Sequence, residues 1–137
     1  MLSGIDHVVG RVIDTLEELS LDENTIVIYT GDNGYYMAQR GFAGKWSHYE
    51  ESLRVPMIIA DPRVKDDVKG QVRDEVVLNL DLASTFVRAA GIELPKQYQG
   101  EALGGLVAGK TPKKWRTDFF CEHLLSLIHI SEPTRPY

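Results

Sequence analysis

The sequence predicts an α/β domain built on a mostly parallel sheet flanked by helices. Three observations carry that expectation. Residues 5–19 show a helical apolar repeat, residues 25–30 and 55–60 form short apolar runs, and a second helical repeat follows at 82–90. The resulting order is helix, strand, loop, strand, helix.

In the first element Ile5, Val8, Val9, Val12, Ile13, Leu16 and Leu19 recur at three- and four-residue spacing, with Asp6, Arg11, Asp14, Glu17 and Glu18 on the remaining face. This predicts an amphipathic helix with Ser3 as N-cap and polar residues 20–24 closing it. Thr25-Ile-Val-Ile-Tyr-Thr30 is β-branched and nearly continuous in apolarity, as a strand covered on both faces of a parallel sheet would be. Gly31 to Gly34 ends it, and the Gly- and Tyr-rich stretch to Glu51 reads as a long functional loop at the carboxyl end of a strand. Val55 to Ala60 is a second strand, stopped by the Asp61-Pro62 turn signal. Residues 76–80 suit a short strand or edge. Asp81 then stands where an N-cap belongs, and Gly91 where a C′ residue belongs, around a helix carrying Leu82, Phe86, Val87 and Ala90 on one face. Residues 95–115 read as surface loops, and Thr117 to Cys121 as a late strand.

Composition narrows the function. A chain of 137 residues with 43% hydrophobic and 26% charged residues has the size and mixture of one ordinary domain. Fifteen Lys+Arg against 20 Asp+Glu give a net charge of −5, so no nucleic-acid partner is expected. No apolar run approaches the roughly 18–20 residues that span a bilayer, so no membrane segment is expected either. The single cysteine, Cys121, excludes an internal disulfide and a cysteine metal knuckle, and its apolar setting reads as a small core residue. Met1 to His7 shows no basic stretch leading into an apolar one, so no signal peptide is read there. Nothing in the sequence fixes the oligomeric state.

The last residues stand apart. From Leu125 the chain matches, codon by codon through Arg135, the translation of a transposon-end sequencing adapter, and the leftover base is compatible with Pro136. Residues 125–137 are therefore expected to be non-biological, and removing them leaves the net charge at −5.

Several residues could carry chemistry. Asp32-Asn33, directly after the first strand, offers a carboxylate and an amide oxygen where α/β proteins gather ligands, and two such donors suit Ca²⁺ or Mg²⁺ as part of a larger set. Asp-Asn-Gly is equally ordinary turn chemistry. Gly41-Phe-Ala-Gly44-Lys45 fails as a phosphate loop, because Gln39 and Trp46 occupy positions that need Gly and Ser or Thr. What remains is a glycine-flexed loop presenting Lys45 as a point charge for an anion, or as a solvated charge. His48-Tyr49-Glu50 lacks the P-C-x-x-C partner of a zinc deaminase. Glu50, Glu51 and Arg54 read as ion-pairing residues that hold the loop, and His7 as a solvated residue of the first helix.

The combined string is more specific than its parts. Thr25-Ile-Val-Ile-Tyr-Thr-Gly-Asp32-Asn33-Gly, then Gly44-Lys45-Trp-Ser-His48-Tyr-Glu50, then Leu53-Arg-Val-Pro-Met-Ile-Ile59 resembles the formylglycine-dependent sulfatases. The likeness extends through Ile5-Asp-His-Val-Val-Gly10, Asn79-Leu-Asp-Leu-Ala-Ser-Thr85, Ala90-Gly91 and Gln99-Gly100, so nearly all of residues 1–124 are covered in order. The resemblance implies an alkaline-phosphatase-like α/β sandwich and hydrolysis of a sulfate ester, with sulfated carbohydrates as the commonest family substrate. It implies Ca²⁺ as cofactor, with Asp32 and Asn33 among its ligands, Lys45 on the substrate sulfate, and His48 near the substrate or its leaving group. It also implies a periplasmic or extracellular location.

The family's C-x-P-x-R or S-x-P-x-R motif, whose Cys or Ser becomes formylglycine, does not occur here, and Cys121-Glu-His-Leu does not match it. The resemblance thus implies that residues 1–124 are the later part of a catalytic domain, entering its small C-terminal subdomain near residue 116, with the nucleophile on a missing N-terminal part. Such a piece is expected to be catalytically silent alone. Two alternatives stay open: a phosphodiesterase or phosphonate monoester hydrolase of the same fold, and a non-catalytic binding module on this scaffold.

Overall fold

The structure is a computed structural model that describes residues 2–45 and 47–121. The chain divides into two units. The first comprises Met1–Asp32 and Pro56–Thr117; the second comprises Asn33–Val55 and Asp118–Tyr137. Residues 125–137, expected to be non-biological, lie outside the described residues, as does Trp46.

The first unit opens with helix α1, Leu2–Glu18. Since it starts at Leu2, Ser3 already sits inside it and is not its N-cap. Its end is a Schellman motif. Ser20 N–H donates to the Glu17 carbonyl at 2.9 Å and Leu21 N–H to that of Leu16 at 2.8 Å, with Ser20 left-handed at φ 55°. The predicted amphipathic stripe is present, yet among the described residues it is largely uncovered, with Val8 61% and Leu19 62% exposed.

Strand β1, Val27–Thr30, pairs with β4, Met57–Ala60, in the register Val27↔Ala60 to Thr30↔Met57. Both apolar runs are strands, as predicted. Their pairing is antiparallel, however, which corrects the parallel ladder expected here. A parallel pair needs a crossover, usually an α-helix of some length. Between β1 and β4 the described chain supplies only a hairpin with its 3₁₀ turn and one four-residue helix. The α/β class itself holds.

Helix α3, Leu80–Ala89, and the short α4, Gly104–Val107, surround the buried centre of this unit, which is Asp81, Ser84, Thr85, Leu103 and Leu106. Asp81 is not the N-cap. It lies in the first turn of α3, fully buried, where its carboxylate accepts from Leu78 N–H and Glu101 N–H, each at 2.8 Å, and from both terminal nitrogens of Arg116. By drawing Leu78 N–H inward, Asp81 turns residues 76–79 into a helix entry, so the strand expected at 76–80 does not form. Ser84 Oγ donates to the Gly100 carbonyl at 2.7 Å, while Thr85 Oγ1 accepts from Leu103 N–H at 2.9 Å. Gly100 permits this approach, because a Cβ there would lie 2.3 Å from the Leu80 carbonyl oxygen. Gly91, left-handed at φ 74°, ends α3 as predicted, with its N–H on the Arg88 carbonyl and that of Ile92 on Val87.

Around this centre Trp115 Nε1 donates to the Val76 carbonyl at 2.9 Å, and the Arg116 guanidinium lies 5.4 Å from the Trp115 ring centroid. Arg73, Glu75 and Thr111 form a second polar knot. Hydrogen bonds from Thr111 and then Arg73 hold the Glu75 carboxyl down at about 2.

In the second unit β2, Tyr36–Met37, pairs antiparallel with β3, Ala43–Gly44, across a 3₁₀ turn at Gln39–Gly41, and α2 is Glu50–Leu53. The predicted long loop thus contains a hairpin that its irregular sequence does not announce. Residues 117–121 form no strand, having no ladder partner among the described residues. Cys121 is exposed rather than in a core.

Two outcomes follow. Arg116→Ala leaves the buried Asp81 charge with backbone donors alone, and is expected to cost about 3–5 kcal/mol in chemical denaturation; a loss below about 1 kcal/mol would show that Leu78 and Glu101 satisfy the carboxylate without it. Glu75 has a folded-state pKa of about 2, below its ordinary 4.5, so its contribution is present above pH 4.5 and lost as pH falls toward 2. The stability difference between wild type and Glu75→Gln should accordingly shrink over that interval, and a difference independent of pH would contradict this.

Candidate functional site

The turn after β1 is held on each side of the Asp32–Asn33 peptide by contacts within each unit. Asp32 is exposed, and its backbone carbonyl accepts from Asn79 Nδ2 at 3.1 Å. Asn33 donates from Nδ2 to the Gly34 carbonyl at 2.8 Å and to Ser52 Oγ at 3.4 Å. Gly34 N–H donates to the Ser52 carbonyl at 2.8 Å. A Cβ on Gly34 would stand 2.2 Å from the Glu51 carbonyl oxygen, so only glycine allows this seating of the turn on α2.

Lys45 is exposed and directly follows β3, whose last residue, Gly44, has φ 97° and pairs with Tyr36. A left-handed backbone at this position is what glycine supplies. His48, also exposed, lies one residue beyond Ser47. Ser47 is tied by its hydroxyl to that of Tyr36, the one fully buried aromatic among the described residues. The Tyr36 ring meets Phe42 edge-on at 5.5 Å, Phe42 stacks with Tyr49 at 6.4 Å, and the Arg40 guanidinium lies 4.6 Å from the Tyr49 centroid. Lys45 and His48 therefore flank an anchored serine in a loop clamped by aromatic rings.

Of the three residues expected to hold the loop, Glu50 and Arg54 need a correction. Arg54 meets Glu50 at 3.9 Å within one short helical segment, with side chains 83% and 74% exposed, so that pair fastens nothing to the loop. Glu51 does the fastening, through Arg40 at 3.1 Å. A bond from its own backbone N–H, and then Arg40, hold the Glu51 carboxyl below the usual range. Arg40 adopts this position at φ 55°, a left-handed conformation costing about 1 kcal/mol for a residue with a side chain. Sequence reading missed Ser52, Tyr36, Ser47 and Arg40. Aromatic residues between glycines were the visible signal for Tyr36 and its neighbours; a lone Ser52 carries none.

The donor set at the turn is a carboxylate and an amide oxygen, which suits a hard divalent cation. Among the described residues no three His, Cys, Asp or Glu side chains converge on one point. His7 is exposed on α1, and no helix among the described residues is long and apolar enough to cross a membrane.

Residues 1–92 match the family model described as Sulfatase. The chain belongs to the sulfatase family. An N-acetylglucosamine-6-O-sulfatase of Bacteroides thetaiotaomicron is 36% identical over 115 residues, 82% of this chain and 20% of the relative. The chain thus spans about a fifth of that relative's length. The solved structure of BT4656 in complex with its substrate D-glucosamine-2-N,6-O-disulfate superimposes with a TM-score of 0.77 at 34% identity, over 84% of this chain and 23% of the other. A phosphonate monoester hydrolase from Silicibacter pomeroyi gives 0.76 at 30% identity, over 82% and 22%. The alkaline-phosphatase-like fold expected from the sequence is thereby established for this sulfatase-family chain.

Gly34→Ala is expected to cost about 1–3 kcal/mol or more, because the clash is with backbone that cannot rotate away. Hydrogen exchange of the amides of residues 34 and 52 reads it locally, and unchanged protection would show that the close approach at this turn is not obligatory.

Proposed function

We propose that this chain is part of a sulfuric ester hydrolase acting on sulfate esters of small molecules or carbohydrates. The observation that carries the proposal is the ordered set Asp32-Asn33 after β1 and Gly44-Lys45 at the end of β3, in a chain of this family. Asp32 and Asn33 would hold Ca²⁺. The hydrogen bonds of the Asn33 carboxamide both use Nδ2, which leaves Oδ1 as its cation-facing atom, and the hard-oxygen set fits that ion. When bound, the cation supplies fixed positive charge beside the sulfate oxygens.

Lys45 contributes a second positive charge on a short tether. The Gly44–Tyr36 pairing and the Tyr36–Ser47 bond hold the residues on either side of the Lys45-Trp46 pair, and the Lys45 ammonium is assigned to a sulfate oxygen. His48, exposed beside the anchored Ser47, is assigned to the leaving-group side, where an imidazole can hold or pass a proton. The nucleophile, a formylglycine in this proposal, is supplied by a part of the protein outside residues 1–137. A periplasmic or extracellular location belongs to the same reading and rests on the family resemblance.

The phosphonate monoester hydrolase likeness supports a second reading, phosphoryl chemistry on the same scaffold. In the complete protein that carries this chain, Lys45→Ala is expected to lower kcat/KM for an aryl sulfate by about 10²–10³, and Asp32→Ala to abolish Ca²⁺-dependent turnover. Normal activity in either variant removes that assignment. Faster turnover of a phenylphosphonate ester than of the matched aryl sulfate would replace the sulfatase reading with the second one.

A further inference from the structure

Ser52 is 4% exposed, in α2, and touches the turn twice. Its carbonyl accepts from Gly34 N–H at 2.8 Å, and its Oγ accepts from Asn33 Nδ2 at 3.4 Å. The second hydrogen of that nitrogen goes to the Gly34 carbonyl at 2.8 Å. A carboxamide turns easily about its last torsion, and a half-turn would aim an N–H₂ group at the place where an oxygen is wanted. The Gly34 carbonyl can only accept, so it settles which end of the amide faces inward. Ser52 then fixes the tilt of the plane.

We propose that Ser52 is a positioning residue for the cation site: with the Gly34 carbonyl setting which end of the Asn33 carboxamide faces inward, its buried hydroxyl fixes the tilt of that plane and so the direction in which Oδ1 meets the metal. The proposal rests on the reading of Asn33 as a ligand. Partners of this kind are worth about 10–100-fold in metal affinity. Three features favour the role over mere packing. The hydroxyl is spent on a side chain 19 positions away rather than on its own helix. The same residue's backbone seats the turn through Gly34. The glycine clash with Glu51 keeps the turn from backing away from α2.

The test is Ca²⁺ titration calorimetry on the metal-stripped complete protein, alongside melting of the metal-free form. Ser52→Ala should weaken Ca²⁺ by about 10–100-fold with little change in metal-free melting, and Ser52→Thr, which keeps the hydroxyl, should bind close to wild type. Should the alanine variant not fold, Ser52→Cys keeps the volume but accepts poorly, and is expected to weaken binding in the same direction. Asn33→Ala separates the layers. If it weakens Ca²⁺ while the folded Ser52 variants bind as wild type, the positioning role is overturned and the ligand reading survives. If Asn33→Ala binds as wild type, the ligand reading falls and this proposal with it.

Discussion

The buried carboxylate of Asp81 is the contact on which the first unit depends. An ionised carboxylate cannot be left in an apolar interior without partners, since its desolvation costs several kcal/mol. Here it receives donors from three stretches of chain: the entry to α3, the segment after Gly100, and Arg116. The hydrogen bond to Asp81 also raises the Arg116 pKa further above its usual value. Whatever its net energy, the arrangement has a unique solution, because moving any one stretch leaves a buried charge underserved. Ser84 and Thr85 extend it along the same helix with bonds to Gly100 and Leu103, and no buried side-chain polar atom among the described residues lacks a partner. A centre this polar specifies geometry more than it buries apolar area.

The second unit solves a similar problem on a smaller scale. Its two-residue strands could not order a loop alone. Order comes from Tyr36, which fills the interior with its ring and reaches Ser47 with its hydroxyl, and from the stack of Phe42, Tyr49 and Arg40 closed by Glu51. Lys45 and His48 are exposed side chains next to this cluster.

The parts of this fold readable from sequence were those governed by local periodicity. The α1 stripe, the β-branched runs of β1 and β4, and Gly91 at the end of α3 each leave a signature within a few residues. Strand direction did not, because β1 and β4 pair across some 26 intervening residues and apolarity is blind to orientation. Asp81 was misread as a cap for a related reason: an acidic residue before a helical repeat looks the same whether it serves its own helix or an arginine 35 residues downstream, as the bond to Arg116 shows. The turn of the candidate site was visible as Asp32-Asn33-Gly34, while the residue it rests on, Ser52, was not, since nothing in a lone serine tells a solvated hydroxyl from a buried acceptor.

Turn chemistry and the proposed metal ligation at Asp-Asn-Gly draw on different atoms of Asn33. The Asn33 amide nitrogen does the work of the turn, bonding the Gly34 carbonyl, as asparagine does in many turns. That use consumes donors only. The Oδ1 lone pairs are untouched by it, and the planarity of the carboxamide directs them away from the nitrogen's partners. If Asn33 is a ligand as proposed, its nitrogen's bond in the bend already limits where its oxygen points, so ordering it around a cation would cost little further entropy. Aspartate at position 33 would accept where the Gly34 carbonyl also accepts, setting two oxygens against each other. Asparagine is the residue that satisfies the backbone and offers an oxygen at once.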